Sequence, residues 1–362
     1  MSSNLEAVSN AGVSIWLDDL SRDRLQSGSL AALIAGSSVV GVTTNPSIFA
    51  AAIKGSALYK DEIISLKASG AYTASIVHTL TTEDVKAACD LFLDTYHASK
   101  HIDGRVSIEV DPFLAHQTEA TVLQGKTLWQ TVDRPNLLIK VPATLDGLPA
   151  ITELTAAGIS VNVTLIFSVE RYEKVIDAYL SGLEERVAAG HSISEIHSVA
   201  SFFVSRIDTE VDKRLDAIAP GSALRGQSAI ANADLAYEAF LSALATPRWQ
   251  TLLAQGANQQ RHLWASTGVK DKAYDSTRYV IELIAAHCVN TMPEATLIEV
   301  RSQGMVRGDT ITDRIPAAHE HFKALAEAGI DFSDVVEFLE IDGVKKFADA
   351  WQELLDNVSA VS

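Results

Sequence analysis

One lysine in this sequence interrupts a stretch in which a charge is out of place. The segment Leu137-Leu138-Ile139-Lys140-Val141-Pro142-Ala143 has the length and apolar content of a buried strand, closed by a proline that cannot continue a ladder. An unpaired ammonium is expensive to bury. Burial favours the neutral amine, and a neutral amine attacks carbonyl carbon. Lys140 is therefore a candidate Schiff-base lysine. A lysine on the wet face of an amphipathic strand, or one snorkelling to a surface, would read the same in isolation. Its company separates the readings. Asp18, Asn45, Glu109, Lys140, Thr164, Ser201 and Ser266 each end, or nearly end, an apolar segment. Any one of them could be a turn former, but seven on seven segments ask for a common cause.

That cause lies in the elements that carry them. Strand-like segments run Val13–Leu17, Val39–Thr44, Val106–Val110, Leu137–Ala143, Ser160–Ile166, His197–Val204, His262–Ser266 and Cys288–Thr291, with helical stretches between them. Thr81-Thr82-Glu83-Asp84 reads as a helix start within a helical region over 47–100, and Ser168 as an N-cap. Helices are also expected over 22–35, 114–132, 146–157 and 275–286. Eight alternations without consecutive strands predict a parallel sheet with helical crossovers, a (β/α)8 TIM barrel. No GxGxxG follows the first strand, which weakens a dinucleotide-binding alternative. In a parallel barrel all C-terminal strand ends open on one face, where catalytic residues of this fold collect. Alternation places Asn162 and Thr164 inward with Val161, Val163 and Leu165 outward, and puts Ser107, Glu109 and Asp111 on one face. The expected organisation is a single barrel domain over 1–362, with a helical insertion at about 229–255 and a helical C-terminal extension at about 294–362.

Composition narrows the partners. Hydrophobic residues make up 47% and charged residues 21% of the chain, and the net charge is −17. There is no Lys/Arg run, so nucleic acid is not expected. No apolar run approaches the roughly 20 residues that span a bilayer, and the first residues lack a secretory signal. Two distant cysteines, Cys89 and Cys288, suggest a reducing compartment and no structural metal. A cytoplasmic protein, monomer or homodimer, is expected.

Four motifs resemble those of transaldolases: Gly41-Val-Thr-Thr-Asn-Pro-Ser-Ile-Phe49, Ser107-Ile-Glu-Val-Asp111, Leu138-Ile-Lys-Val-Pro-Ala143 and Asn162-Val-Thr-Leu-Ile-Phe-Ser168. The likeness covers Val13 to about Met292, and Trp264-Ala-Ser-Thr-Gly-Val-Lys-Asp271 is similar to the longer bacterial and plant members. The resemblance implies a class I aldolase-like barrel, with no metal and no organic cofactor, acting on sugar phosphates. It implies Lys140 as the imine-forming lysine and Asp18 as the acid/base at the C4 hydroxyl. Glu109 and Thr164 match the pair that holds a water for proton transfer. Asn45 and Asn162 match residues that bind the dihydroxyacetone part, while Ser201 and Phe203 match residues lining the pocket. Arg206 and Ser266 match the phosphate-binding arginine and serine. Many members carry a second arginine two residues after that serine. Here the position is Gly268, and Lys270 is the nearest replacement.

Elementary chemistry agrees with this implication. Breaking a carbon–carbon bond next to a carbonyl leaves a carbanion, which a protonated imine turns into a neutral enamine. A carboxylate within hydrogen-bond reach then takes the hydroxyl proton. Three rivals stay open at this stage: an aldolase releasing free dihydroxyacetone, a metal-dependent barrel hydrolase using Glu109 and Asp111, and a non-catalytic sugar-phosphate binder. Trp16 and Trp264 read as core or barrel-lining residues, and His78, His97 and His101 as surface residues.

Overall fold

In the computed structural model, which describes residues 3–362, eight parallel strands close on themselves in chain order. They are β1 (Val13–Leu17), β2 (Val39–Val42), β3 (Arg105–Glu109), β4 (Leu137–Pro142), β5 (Val161–Ile166), β6 (Ser198–Phe203), β7 (Gln260–Ala265) and β8 (Cys288–Met292). β1 pairs with both β2 and β8, which completes the ring. Every residue of β3, β4, β5, β6 and β8 is buried. Lys140, Asn162 and Ser201 turn inward together with Trp16 and Phe203, while the other face packs under the helices, His262 included, against Tyr172, Tyr237 and Phe240. Both faces are thereby withdrawn from water, as a barrel sheathed in helices requires.

Several helix boundaries follow local chemistry. Ser168 Oγ accepts from Arg171 N at 3.1 Å and caps the helix Val169–Ala188. Asn45 Oδ1 accepts from Ile48 N at 3.1 Å, with Pro46 as the first helical residue of Pro46–Gly55, so the turn-forming role open to Asn45 is realised. Other expectations give way. The segment expected as one helix over 22–35 is two, Arg22–Ser27 and Ser29–Gly36, broken at Gly28 with φ +77°. Thr81 and Thr82 start no helix; they lie inside Thr73–Leu91, where their hydroxyls donate back to the carbonyls of Val77 and His78 at 2.9 and 2.7 Å. That back-bonding satisfies hydroxyls which would otherwise favour a cap. Of the helix expected over 275–286 only Arg278–Ile281 forms. The alternation along β5 also fails at its end. Leu165 has φ +61° and the β5–β6 register shifts there, which turns Leu165 up beneath a helix instead of outward.

Helices Ser228–Leu244 and Pro247–Leu253 precede β7. After β8 come Glu294–Gln303, Ile315–Glu327 and the long Phe332–Ala360. The last of these folds back across the C-terminal ends of the strands: Gly343 faces Leu165 and Phe167, where a Cβ would lie 3.2 and 3.3 Å from their side chains. No helix among the described residues is long and apolar enough to cross a membrane.

Gly41 shows how tightly the inner wall is set. It pairs with Trp16 across β1 and β2, and a Cβ at Gly41 would sit 2.6 Å from the indole of Trp16, which is fully buried. Gly41→Ala should therefore destabilise the fold by about 1–3 kcal/mol through overpacking, read as a lower urea midpoint at unchanged slope. Gly36→Ala, whose Cβ would meet nothing within 4 Å, should show no such loss.

Candidate active site

Strand register alone brings the chemistry to one level. Glu109 pairs with Lys140 across β3 and β4, and Lys140 pairs with Asn162 across β4 and β5. Residues paired this way on a pleated sheet share a face. Lys140 is only 4% exposed. Its Nζ donates to the Thr44 carbonyl at 3.0 Å and lies 3.5 Å from Glu109 Oε2. Asn162 is clamped from both sides: its Nδ2 donates to Ser107 Oγ at 2.9 Å, and its Oδ1 accepts from Ser201 Oγ at 2.7 Å. Thr164, opposite Pro142, is fully buried with its Oγ1 unpartnered.

Glu109 is held without the usual compensation. Both carboxyl oxygens are buried and lack a hydrogen-bond partner, and the contact to Lys140 is longer than a good hydrogen bond. Burial pushes this carboxyl up to about 7, against the opposing pull of the Lys140 charge. A carboxyl poised there exchanges protons easily at neutral pH. Asp18 follows β1. Its Oδ1 accepts from Thr43 Oγ1 at 2.8 Å, and Thr43 in turn meets Thr291 Oγ1 at 2.6 Å. Burial raises the Asp18 carboxyl above its ordinary value, while Lys140 and the Thr43 hydroxyl pull the other way.

These groups border a cavity of about 460 Å³ at the C-terminal ends of the strands. Asp18, Asn45, Lys140 and Ser201 line it, as do Phe203, Arg206 and Ser266 on the side of β6 and β7. Glu109 borders instead an adjoining cavity of about 370 Å³ that also reaches Asn45, Asp111 and Trp351. His78 lines this second space with its Nε2 buried and unpartnered, so it is not the surface residue that its spacing suggested. Asp111 Oδ1 accepts from Phe113 N at 2.8 Å as a turn cap. Among the described residues no three His, Cys, Asp or Glu side chains converge as a metal cage.

Arg206 opens the helix Ser205–Ile218 and lies over the Phe203 ring, 5.1 Å from its centre. Its Nη1 is buried with no hydrogen-bond partner. Ser266 has φ +57°, accepts from Ser205 N at 3.0 Å through its carbonyl, and meets Ser205 Oγ at 3.0 Å. Lys270 is not brought to this cavity. It is exposed and borders a separate depression with Asp212, Arg225 and Tyr274. Nor does it pair with Asp271, which binds Arg225 at 3.1 Å.

The sequence reasoning missed two groups. Thr43 and Thr291, beside Asp18, stand at strand ends and were open to the same end-of-strand argument. The C-terminal helix gave no such signal. It sets Phe347 with its ring centre 5.4 Å from Lys140 Nζ and 6.5 Å from that of Phe203, and adds Lys346, Asp349 and Glu353 to the cavity wall.

A buried lysine 3.5 Å from one carboxyl, with a second carboxyl on the wall of its cavity, at the C-terminal mouth of a (β/α)8 barrel, marks the chain as an aldolase-type barrel enzyme. Residues 15–358 match the family described as Transaldolase/Fructose-6-phosphate aldolase, to which this chain belongs. Among its relatives, a transaldolase of Saccharopolyspora erythraea is 56% identical over 356 residues, 98% of this chain and 97% of that protein. One of Mycolicibacterium smegmatis is 57% identical over 355 residues, 98% and 96% of the two chains. One of Frankia alni is 54% identical over 361 residues, 99% and 97% of the two.

Burial pushes the Glu109 carboxyl up to about 7. An ionisation near 7 in the pH profile of kcat/KM should therefore belong to Glu109 and should vanish in Glu109→Gln. Its persistence in the variant would assign it elsewhere.

Proposed function

We propose that this chain is a transaldolase that carries a dihydroxyacetone unit from sedoheptulose 7-phosphate to glyceraldehyde 3-phosphate. The products are erythrose 4-phosphate and fructose 6-phosphate, in the pentose phosphate pathway. The observation that carries the reading is a buried amine 3.5 Å from a carboxyl poised near neutrality, in a cavity that Asp18 also lines.

Each step uses a group in place. A proton passed from the Lys140 ammonium to Glu109 leaves a neutral amine beside a carboxylic acid. The amine attacks the ketose C2 carbonyl and forms a carbinolamine. Glu109 returns its proton to the departing hydroxyl, water leaves, and the protonated imine results. Thr164, with its free hydroxyl, is suited to hold that water with Glu109. Asp18 as carboxylate takes the proton of the C4 hydroxyl, the C3–C4 bond breaks into the imine, and the aldose leaves. The enamine then adds to the acceptor aldehyde while Asp18 gives its proton back. A positioned acid or base of this kind contributes about 10²–10⁴-fold in rate. Asn162, fixed by Ser107 and Ser201, and the amide nitrogen of Asn45 are available to the dihydroxyacetone hydroxyls. Phe347 shields the amine from bulk water, which favours transfer over hydrolysis of the intermediate. The two free, buried cysteines are consistent with action in a reducing cytoplasm.

Borohydride reduction with fructose 6-phosphate should fix a stable adduct on the Lys140 peptide, found by mass mapping and absent from Lys140→Ala. A full adduct on that variant would refute the assignment. Asp18→Ala should still form the reducible adduct yet lose roughly 10²–10⁴-fold in turnover. Near-normal turnover would remove Asp18 from the acid/base role.

A further inference from the structure

We propose that Lys346, on the C-terminal helix Phe332–Ala360, is the second cation that reads the substrate phosphate, beside Arg206. The inference rests on the sugar-phosphate reading above. Among the described residues Lys140, Arg206 and Lys346 are the cations that line the main cavity, against Asp18, Asp349 and Glu353, while Lys270 acts on Asp18 from outside the lining. Lys140 is deeply buried and engaged with Thr44 and Glu109. Its nitrogen is the one that must meet a carbonyl carbon, so it is not free to bind a phosphate at the far end of the sugar. Two cations are left for a dianion entering a chain of net charge −17.

Their present partner supports the pairing. Lys346 Nζ lies 2.6 Å from Asp342 one turn away, and Asp342 is also the carboxylate whose charge acts on the Arg206 guanidinium. One carboxylate thus acts as counter-ion to both cations. A phosphate dianion brings more charge and more acceptor oxygens than Asp342, and it can draw Lys346 across. The Lys346 side chain is 59% exposed on a flexible stem, which permits that swing. Arg206 stays fixed over Phe203 with an unfilled N–H. The hydroxyls of Ser205 and Ser266, 3.0 Å apart, add neutral donors on the same side. Lys270 acts on Asp18 through its charge but borders a different depression rather than the main cavity, which makes it the weaker candidate.

The test compares wild type, Lys346→Met, Lys346→Arg and Lys270→Met. Two quantities are measured: kcat/KM for fructose 6-phosphate and for fructose, and the affinity for inorganic phosphate by calorimetry. Lys346→Met should lower the ratio of the two kcat/KM values roughly tenfold and weaken phosphate binding by a similar factor, the lower end for a charged hydrogen bond. Lys346→Arg should recover most of both, and Lys270→Met should change them less. Asp342→Asn, which removes the internal counter-ion, should tighten phosphate. Equal loss on both sugars, or an unchanged phosphate affinity in Lys346→Met, overturns the proposal. The functional reading is judged separately, by whether wild type turns over fructose 6-phosphate at all. A Lys346-dependent phosphate affinity in an inactive wild type would leave the cation site standing and refute the transferase.

Discussion

The arrangement depends on one constraint: an amine and a carboxyl are kept together, out of water, with too few hydrogen bonds. Moving two charges into a low-dielectric interior carries a penalty of several kcal/mol per ion after relaxation, and mutual attraction recovers it only with good geometry. Here the geometry is deliberately loose. Lys140 has a carbonyl at 3.0 Å, while Glu109 has no hydrogen bond at all. Burial pushes the Glu109 carboxyl up to about 7, so beside the amine it can take or give a proton near neutrality. The barrel supplies the stability that the pair withholds. Leu138, Ile139 and Val141 around the lysine are fully buried, and β4 is bound on both sides by parallel neighbours.

This constraint explains what the sequence reveals. A charge inside an apolar strand contradicts its local pattern, and such contradictions collect at functional sites. Alternation of strand and helix gave the barrel, and the barrel brought Asp18, Asn45, Lys140, Ser201 and Ser266 to one cavity wall without any side-chain contact being known. Strand ends deviated by a residue or two, where ladders fray into loops. The failures have specific causes. Gly28 breaks a helix that propensity would continue. The Thr81 and Thr82 hydroxyls find carbonyls one turn back and so resemble caps only in sequence. Leu165 takes a left-handed backbone that no period-two pattern can encode. Phe347 was hidden for another reason: a lone aromatic on an amphipathic helix reads as core, and its position over Lys140 follows from how the chain returns across the barrel.

Charge distribution gives the long helix a second purpose. The chain is strongly anionic, and its ion pairs are mostly exposed and worth little each. The helix is nonetheless anchored at several points. Arg171 binds Glu340 at 3.1 Å, Lys54 binds Glu353 at 3.1 Å, and Arg214 binds Asp334. These contacts lie on exposed or half-exposed flanks, while Leu339, Phe347, Leu354 and Val358 are buried beneath. Apolar burial therefore supplies the adhesion, at about 25 cal/mol per Å² removed from water, and the ion pairs fix direction and register.

Gly343 connects that register to chemistry. It lies one turn before Phe347 on the same helix face, close against Leu165 and Phe167. A side chain there would press on Leu165 and Phe167 and lift the following turn. The left-handed backbone at Leu165 raises its side chain to meet the glycine, so a strained strand end and a small helix residue are complementary parts of one contact. Lifting the helix would withdraw Phe347 from the amine and let water reach any enamine formed there. The difference between transferring a three-carbon unit and losing it to hydrolysis would then depend on a contact between a β5 backbone turn and a glycine in the last helix. Neither residue touches the reacting atoms.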